Sequence, residues 1–324
     1  MTPSTGSRRR PLPRRPLRSG IALLAGVSTL CFVPVDQAFG HGFAGKRFFP
    51  ATLATDDPFV ADELSLPTIA SRRTVDDTVE QSASIDFSKR ISADFGIGVG
   101  ATYLRLRPAD GPVQHGFDNF ALNAKYQFYK SDEKETLISV GIDWDVGGSG
   151  ARRVDAESFS TVSPTLFFGK GFGDLAESAK WLRPFALTGS AGVSIPSRAS
   201  STTTDDSGNV ATEPHPNVLQ LGLALEYSLP YLQSFVKDIG LREPFNRFIP
   251  VVELALEKPL NRGGGPWVGT LNPGVLVAGK YMQFGIEAVI PVGKAGGKTG
   301  ILAQLHFFLD DLLPTTFGKP LLGR

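Results

Sequence analysis

From about residue 78 to residue 310 the chain repeats one unit, a run in which large apolar side chains alternate with polar or small ones, followed by a turn segment. Phe120, Leu122, Ala124, Tyr126 and Phe128 alternate with Asn119, Ala121, Asn123, Lys125 and Gln127. Ile138, Val140, Ile142, Trp144 and Val146 alternate with Ser139, Gly141, Asp143 and Asp145. The same period of two runs from Ile91 to Tyr103, Leu219 to Leu229, Val252 to Glu257, Met282 to Ile290 and Ile301 to Leu309. Successive side chains of a strand point to opposite faces, so this period means that the two faces meet different media.

A soluble β-sandwich alternates too, and run length separates the two cases. These runs last about 10 to 14 residues, against roughly 5 to 6 for soluble strands, which matches a tilted membrane crossing. Their polar face is mostly glycine, serine, threonine and alanine, as suits a confined lumen, where a water-exposed sheet carries lysine and glutamate. Tyr103, Phe117, Tyr129, Trp144, Trp181, Tyr227, Trp267 and Tyr281 fall at or near run ends, where interfacial girdles belong. The pattern predicts an all-β chain, an antiparallel transmembrane β-barrel of the outer membrane.

Loop length orients the strands, because periplasmic turns are short and outside loops are longer. Short links near Lys89-Arg90, 131–135 and Gly279-Lys280 alternate with longer ones at 107–116, 147–157, 196–216, 260–266 and 292–298. Links 171–180 and 230–247 break the rule and read as short amphipathic periplasmic helices, the second with Tyr231, Leu232, Phe235, Val236 and Ile239 at helical spacing. Eleven runs are plain, and parity requires one more ahead of them, supplied by residues 64–73, for about 12 strands. Pro164, Pro184, Pro250 and Pro273 each remove a ladder donor and are expected at bulges or strand ends.

The ends of the chain lack this rhythm. Arg8, Arg9, Arg10, Arg14, Arg15 and Arg18 precede an apolar stretch from Ile21 to Pro34 and then Ala38-Phe39-Gly40, the layout of a secretion signal over residues 1–40. Cys31 leaves with that signal, so the exported chain is expected to close without disulfides. Removing six arginines and one aspartate takes Lys+Arg from 33 to 27 and Asp+Glu from 32 to 31, a net charge of −4 that argues against a nucleic-acid binder. Residues 41–63 are aromatic and irregular, and fit either a plug folded into the lumen or a periplasmic tether. The barrel then occupies 64–310, and 311–324 form a periplasmic C-terminal tail that either packs on the helical turns or docks an envelope protein.

The candidate functional residues are charges on the face opposite the apolar one: Lys125, Asp143, Asp145, Glu226, Glu253, Glu257 and Glu287. Charges are costly against lipid but acceptable in a wet lumen. They read either as an acidic constriction that favours cations or as structural pairs that fill a small barrel. His41, first in line after the signal, could chelate copper through its amine and ring if His115, His215 or His306 came near. Gly263-Gly264-Gly265 and the looser Gly293, Gly296 and Gly297 lack the strand-loop-helix context of a phosphate cradle and read as loop glycines. No serine-histidine motif marks a hydrolase, and no enzyme activity, metal or cofactor is expected.

With its signal, aromatic leader, about 12 long strands, helical periplasmic turns and Phe307-Phe308 near the end, the chain resembles the outer-membrane β-barrel transporters linked to phenol-degradation pathways. The resemblance covers residues 75–310 in architecture only. It implies passive diffusion of small, apolar or aromatic solutes, with outer-membrane lipid as surroundings and no covalent chemistry. The alternative is a structural or assembly barrel that binds an envelope partner through its periplasmic helices and tail.

Overall fold

The computed structural model describes residues 42–204, 210–293 and 297–322. Residues 1–40, read from the sequence as a secretion signal and carrying Cys31, and His41 lie outside the described residues, as does Gly296. In chain order the strands are β1 (Phe43–Ala44), β2 (Arg47–Phe48), β3 (Glu63–Arg73), β4 (Val79–Arg90), β5 (Phe95–Arg107), β6 (Gln114–Phe117), β7 (Ala121–Ser131), β8 (Thr136–Asp145), β9 (Thr161–Gly171), β10 (Phe185–Pro196), β11 (Ser200–Thr204), β12 (Val210–Pro214), β13 (Val218–Tyr227), β14 (Phe248–Pro259), β15 (Val268–Ala278), β16 (Met282–Gly293) and β17 (Lys298–Phe308). Every pairing is antiparallel. Neighbours in sequence pair from β7 through β10, then β13 through β17; β17 pairs with β3, β3 with β4, β4 with β5 and β5 with β7, so the sheet closes on itself. Twelve strands make the ring, the first of them close to the 64–73 run that parity demanded. β1 and β2 form a small hairpin ahead of it, β6 extends the upper part of β5, and β11 with β12 is a hairpin within a loop.

Side-chain exposure follows the period of two. Val140, Ile142 and Trp144 are exposed on the outer wall while Ser139, just before them, is fully buried; Leu223 and Leu225 are exposed while Ala224 and Glu226 are buried. No helix among the described residues is long and apolar enough to cross a membrane. The apolar outer wall is what crosses it, since a closed barrel satisfies every backbone group without an edge.

The links sort by end as expected. Residues 91–94, 132–135 and 279–281 are tight turns at one end, with the two exceptions, 172–184 and 228–247. The exceptions hold the short helical segments expected there: 3-10 turns over Glu177–Leu182, α1 (Leu229–Tyr231) running into a π turn over Leu232–Val236, and a 3-10 turn over Phe245–Arg247. Ser228 caps α1 by accepting the Tyr231 amide at 3.1 Å. This end faces the periplasm by the loop-length rule, and both described chain ends lie there.

The prolines behave differently from the sequence expectation. Pro184 precedes β10, but Pro164, Pro250 and Pro273 sit inside strands whose register runs unbroken past them. The register shifts fall elsewhere: on both sides of β3 around Pro67, at the start of β17, and in β7 between Gln127 and Tyr129. Leu309 departs too: it is buried and opens α2 (Leu309–Leu312) instead of continuing the outer face of β17.

Candidate functional site

The segment 42–62 lies inside the barrel, rises from the periplasmic end to about mid-height, and returns to start β3. Its hairpin is pinned at the mouth. Gly45, at φ +59°, donates its amide to Asp132 at 2.8 Å, and a Cβ there would strike the Asp132 carbonyl. Arg47, only 1% exposed, donates to Glu135 Oε2 at 3.2 Å, to the Pro184 carbonyl at 3.0 Å and to the Arg183 carbonyl, with its guanidinium 3.8 Å over the Tyr231 ring. Tyr231 donates its hydroxyl to Glu135 Oε1 at 2.8 Å; burial, helped by the Glu135 carboxylate, pushes that phenol above its ordinary pKa and keeps it a donor. One buried arginine therefore ties the segment to three periplasmic links.

Above the clamp the packing is dry. Ala44, Phe49, Phe59 and Ala61 bury against Leu137 and Ala186, while Phe48 and Leu53 lie against Ala224, Ile249, Val251 and Leu276. The lower lumen thus holds apolar cores as well as the polar lining read from the sequence. The inward glycines make room for them. A Cβ on Gly285 would meet Leu53 at 2.6 Å, on Gly96 Val60 at 2.9 Å, on Gly169 Pro58 at 2.9 Å and on Gly222 Thr55 at 3.2 Å.

At its tip the segment meets the predicted charges. Glu253 is fully buried and accepts the amides of Leu53 at 2.7 Å, Ala54 at 3.0 Å and Thr55 at 2.6 Å, plus the Thr55 hydroxyl at 2.7 Å. A carboxyl group seated on three successive amides works like an anion in a backbone nest. Gln283 donates to the Ala51 carbonyl at 2.7 Å, Ser139 to the Pro58 carbonyl, and Lys125 to the Asp57 carbonyl at 2.7 Å with Asp57 Oδ1 at 3.4 Å. Glu226 and Glu287 are buried on the inner wall near Glu253, Glu287 also beside Asn272. Asp143 is half-buried and faces a cavity, whereas Asp145 and Glu257 are exposed nearer the outer end. Of the seven predicted residues, Lys125, Asp143, Glu226, Glu253 and Glu287 lie against the segment, on the cavity beside it or next to Glu253; Asp145 and Glu257 do not join them.

Between the segment and the wall of β3, β4, β5, β7, β8 and β17 a cavity of about 300 Å³ remains, bordered by Asp56, Asp57, Glu63, Asp86, Lys125 and Asp143. Asp57 lies in the segment, outside the spanning strands. Burial pushes its carboxyl up to about 6, against the pull of Lys125 and with a further push from Glu63. On the same cavity Ser65 Oγ and His306 Nδ1 are hydrogen-bonded at 2.9 Å, with Glu63 3.5 Å from His306 Nε2. The sequence had not brought this serine and histidine together, because their strands become neighbours only when the barrel closes. All three are buried, and they join β17 to β3 across that seam.

A second polar knot ties the end of the 42–62 segment and the start of the tail at the seam. Asp62 accepts from Lys89 Nζ at 2.6 Å and from the Arg90 amide and Nε at 2.7 and 3.0 Å, and Arg90 also donates to Asp310 at 2.7 Å. Burial opposes the Asp62 carboxylate, but hydrogen bonds from Asp310, Lys89 and Arg90 outweigh it and hold it below the usual carboxylate range. Burial, with the neighbouring Asp62, pushes Asp310 up to about 8. The tail packs here rather than on the helical turns: Lys89 donates to the Phe317 carbonyl at 2.8 Å, and the Leu321 and Leu322 amides donate to the Arg90 and Ile91 carbonyls at 3.1 and 2.6 Å. The other described histidines are engaged separately, His115 with Tyr103 at 2.7 Å and His215 with Ser201 at 2.8 Å. Among the described residues no group of three or more His, Cys, Asp or Glu side chains is placed to hold a metal ion.

A closed ring of 12 antiparallel strands with an apolar outer wall, short turns at one end and a polar-bordered interior defines an outer-membrane β-barrel of the porin-like class. The sequence matches no protein-family model and no curated protein. The structure is similar to an outer-membrane channel from Pseudomonas putida F1, with a TM-score of 0.55 at 10% identity over 81% of this chain and 98% of that one. It also aligns with the KdgM porin (TM-score 0.43, 13% identity, 74% of this chain and 98% of that one) and the NanC porin (TM-score 0.41, 8% identity, 75% and 98%).

Proposed function

We propose that this protein is a passive outer-membrane channel for small solutes, narrowed by residues 42–62 acting as a plug. The observation that carries the reading is the polar cavity left between the plug and the wall. Its border of carboxyl groups around Lys125 favours hydrophilic solutes and cations over the apolar or aromatic solutes that the resemblance to phenol-pathway transporters implies. The porin-like architecture supports a diffusive route with no energy source. Glu253 holds the plug tip, with Glu226 and Glu287 buried on the wall beside it; Asp57 and Asp143, beside Lys125, set selectivity.

Reversal potentials across planar bilayers under a salt gradient test this. The cation preference should fall as pH drops from 7 to 5, because Asp57 is ionised above about 6 and neutral below it. Asp57→Asn together with Asp143→Asn should lower the preference at pH 7 and flatten its pH dependence. A bilayer that carries no current even with Glu253→Ala, which removes the acceptor of the plug tip, would rule out the channel.

A further inference from the structure

The outer surface of the barrel carries a charge pattern that a channel does not need. At the outer ends of β5, β4, β3 and β17 the register places Arg107 opposite Val79, Val79 opposite Arg73 and Arg73 opposite Lys298. Directly opposite residues share a face, and on β5 this is the face of Ile97, Val99 and Tyr103, which is turned to lipid. Three cations therefore stand in one row across four strands, roughly 14 Å wide at the usual strand spacing. The next outward row down is Arg105, Gln81 and Ser71 beside Ile301, with Arg105 donating to Gln81 at 2.8 Å. Below that come Tyr103, Ala83, Ile69 and Ala303, and the apolar wall continues with Ile85 and Val99. On β6, His115 and Phe117 flank Arg105 and Tyr103 on the same face.

From the rim downward the surface thus passes from cationic through polar to apolar. Asp77 answers part of the charge, lying 3.5 Å from Arg73 and 3.1 Å from Lys298. Arg105 is held by a neutral amide, and among the described residues no ion pair engages Arg107. A ligand that fits must present phosphate at the rim and acyl chains beneath it. Guanidinium groups suit phosphate because their donors are forked and planar and their hydration is weak. We infer that this face is a binding site for the phosphorylated glycolipid of the outer leaflet, lipopolysaccharide, with Arg73, Arg105, Arg107 and Lys298 on its phosphates and Ile69, Ile85, Val99 and Ile301 along its acyl chains.

The full exported chain, folded in detergent, should retain deep-rough lipopolysaccharide through gel filtration. Arg105→Glu with Arg107→Glu should cut retention at least tenfold, with heat-modifiable migration on gels reporting that the barrel is still closed. Should that variant fail to close, Asp77→Asn supplies the independent reading: it frees Arg73 and Lys298, asparagine tolerates the φ of +59° at that turn, and retention should rise severalfold. Equal retention of dephosphorylated lipopolysaccharide, equal retention of phosphatidylglycerol, full displacement by millimolar inorganic phosphate, or no response to either variant would overturn the assignment.

Discussion

Arg47 carries more of the site than any charge on the strands, yet its own neighbourhood in sequence, Lys46-Arg47-Phe48, reads as an ordinary basic stretch. Its hydrogen-bond partners lie on links 88 to 137 residues away and Tyr231 farther still, and only folding brings them to one place. Removing one member of a buried ion pair strands the other, at a cost of about 3–5 kcal/mol. Arg47→Ala should therefore detach the hairpin while leaving the ring closed, read as faster proteolysis within residues 42–62 and a larger bilayer conductance. An unchanged digestion pattern would mean that the apolar packing of Phe49 and Phe59 is anchor enough. The strand charges were easier to find. Glu253 was legible because an acid on a period-two strand has to point inward, but that it binds the amides of Leu53, Ala54 and Thr55 follows from the path of a segment with no periodicity of its own.

At the scale of the element, the strands obey one rule and the links obey several. The outward positions answer to lipid alone, so Val140→Arg should cost about 2–4 kcal/mol, as arginine does at the bilayer midplane, measured by urea unfolding in vesicles. Ser139→Arg, on the inner face, should act instead by displacing the Pro58 carbonyl and with it the 42–62 segment. The tail makes a second prediction. Asp310 sits above the ordinary carboxylate range, so its contribution to docking is complete at acid pH and lost as pH rises through about 8. Asp62, held low, contributes above the ordinary range and loses that contribution only in acid. Protection factors over residues 313–322, taken against the intrinsic base-catalysed exchange rate at each pH, should then fall between pH 6 and pH 9, and Asp310→Asn should abolish that fall. The misplaced bulges belong here too. A proline inside a strand is tolerable where its missing N–H costs the ladder only locally, and Pro164, Pro250 and Pro273 keep register on that basis, whereas at Pro67 both neighbouring strands shift.

For the whole molecule, closure is the governing fact. The seam between β17 and β3 joins residues up to 245 apart and is stapled by Ser65, His306, Glu63 and the Asp62 knot. Unboiled protein in detergent should run faster on gels than boiled protein and give a β-rich circular dichroism spectrum; a single band with no shift on boiling would exclude the closed barrel.

The alternation of residues along the chain determined, without any structure, that the protein is a barrel of about 12 strands, which face meets lipid, and which end turns tightly. Those properties are local: side-chain direction repeats every two residues, and lipid sorts each position independently of distant ones. Tertiary structure alone decided where residues 42–62 go, which charges they bind, and which glycines keep space for them. Such contacts pair an aperiodic segment with inward positions on many strands, and the sequence says only that those positions are small or polar, the same requirement that a plug, a water-filled pore or a ligand would each impose.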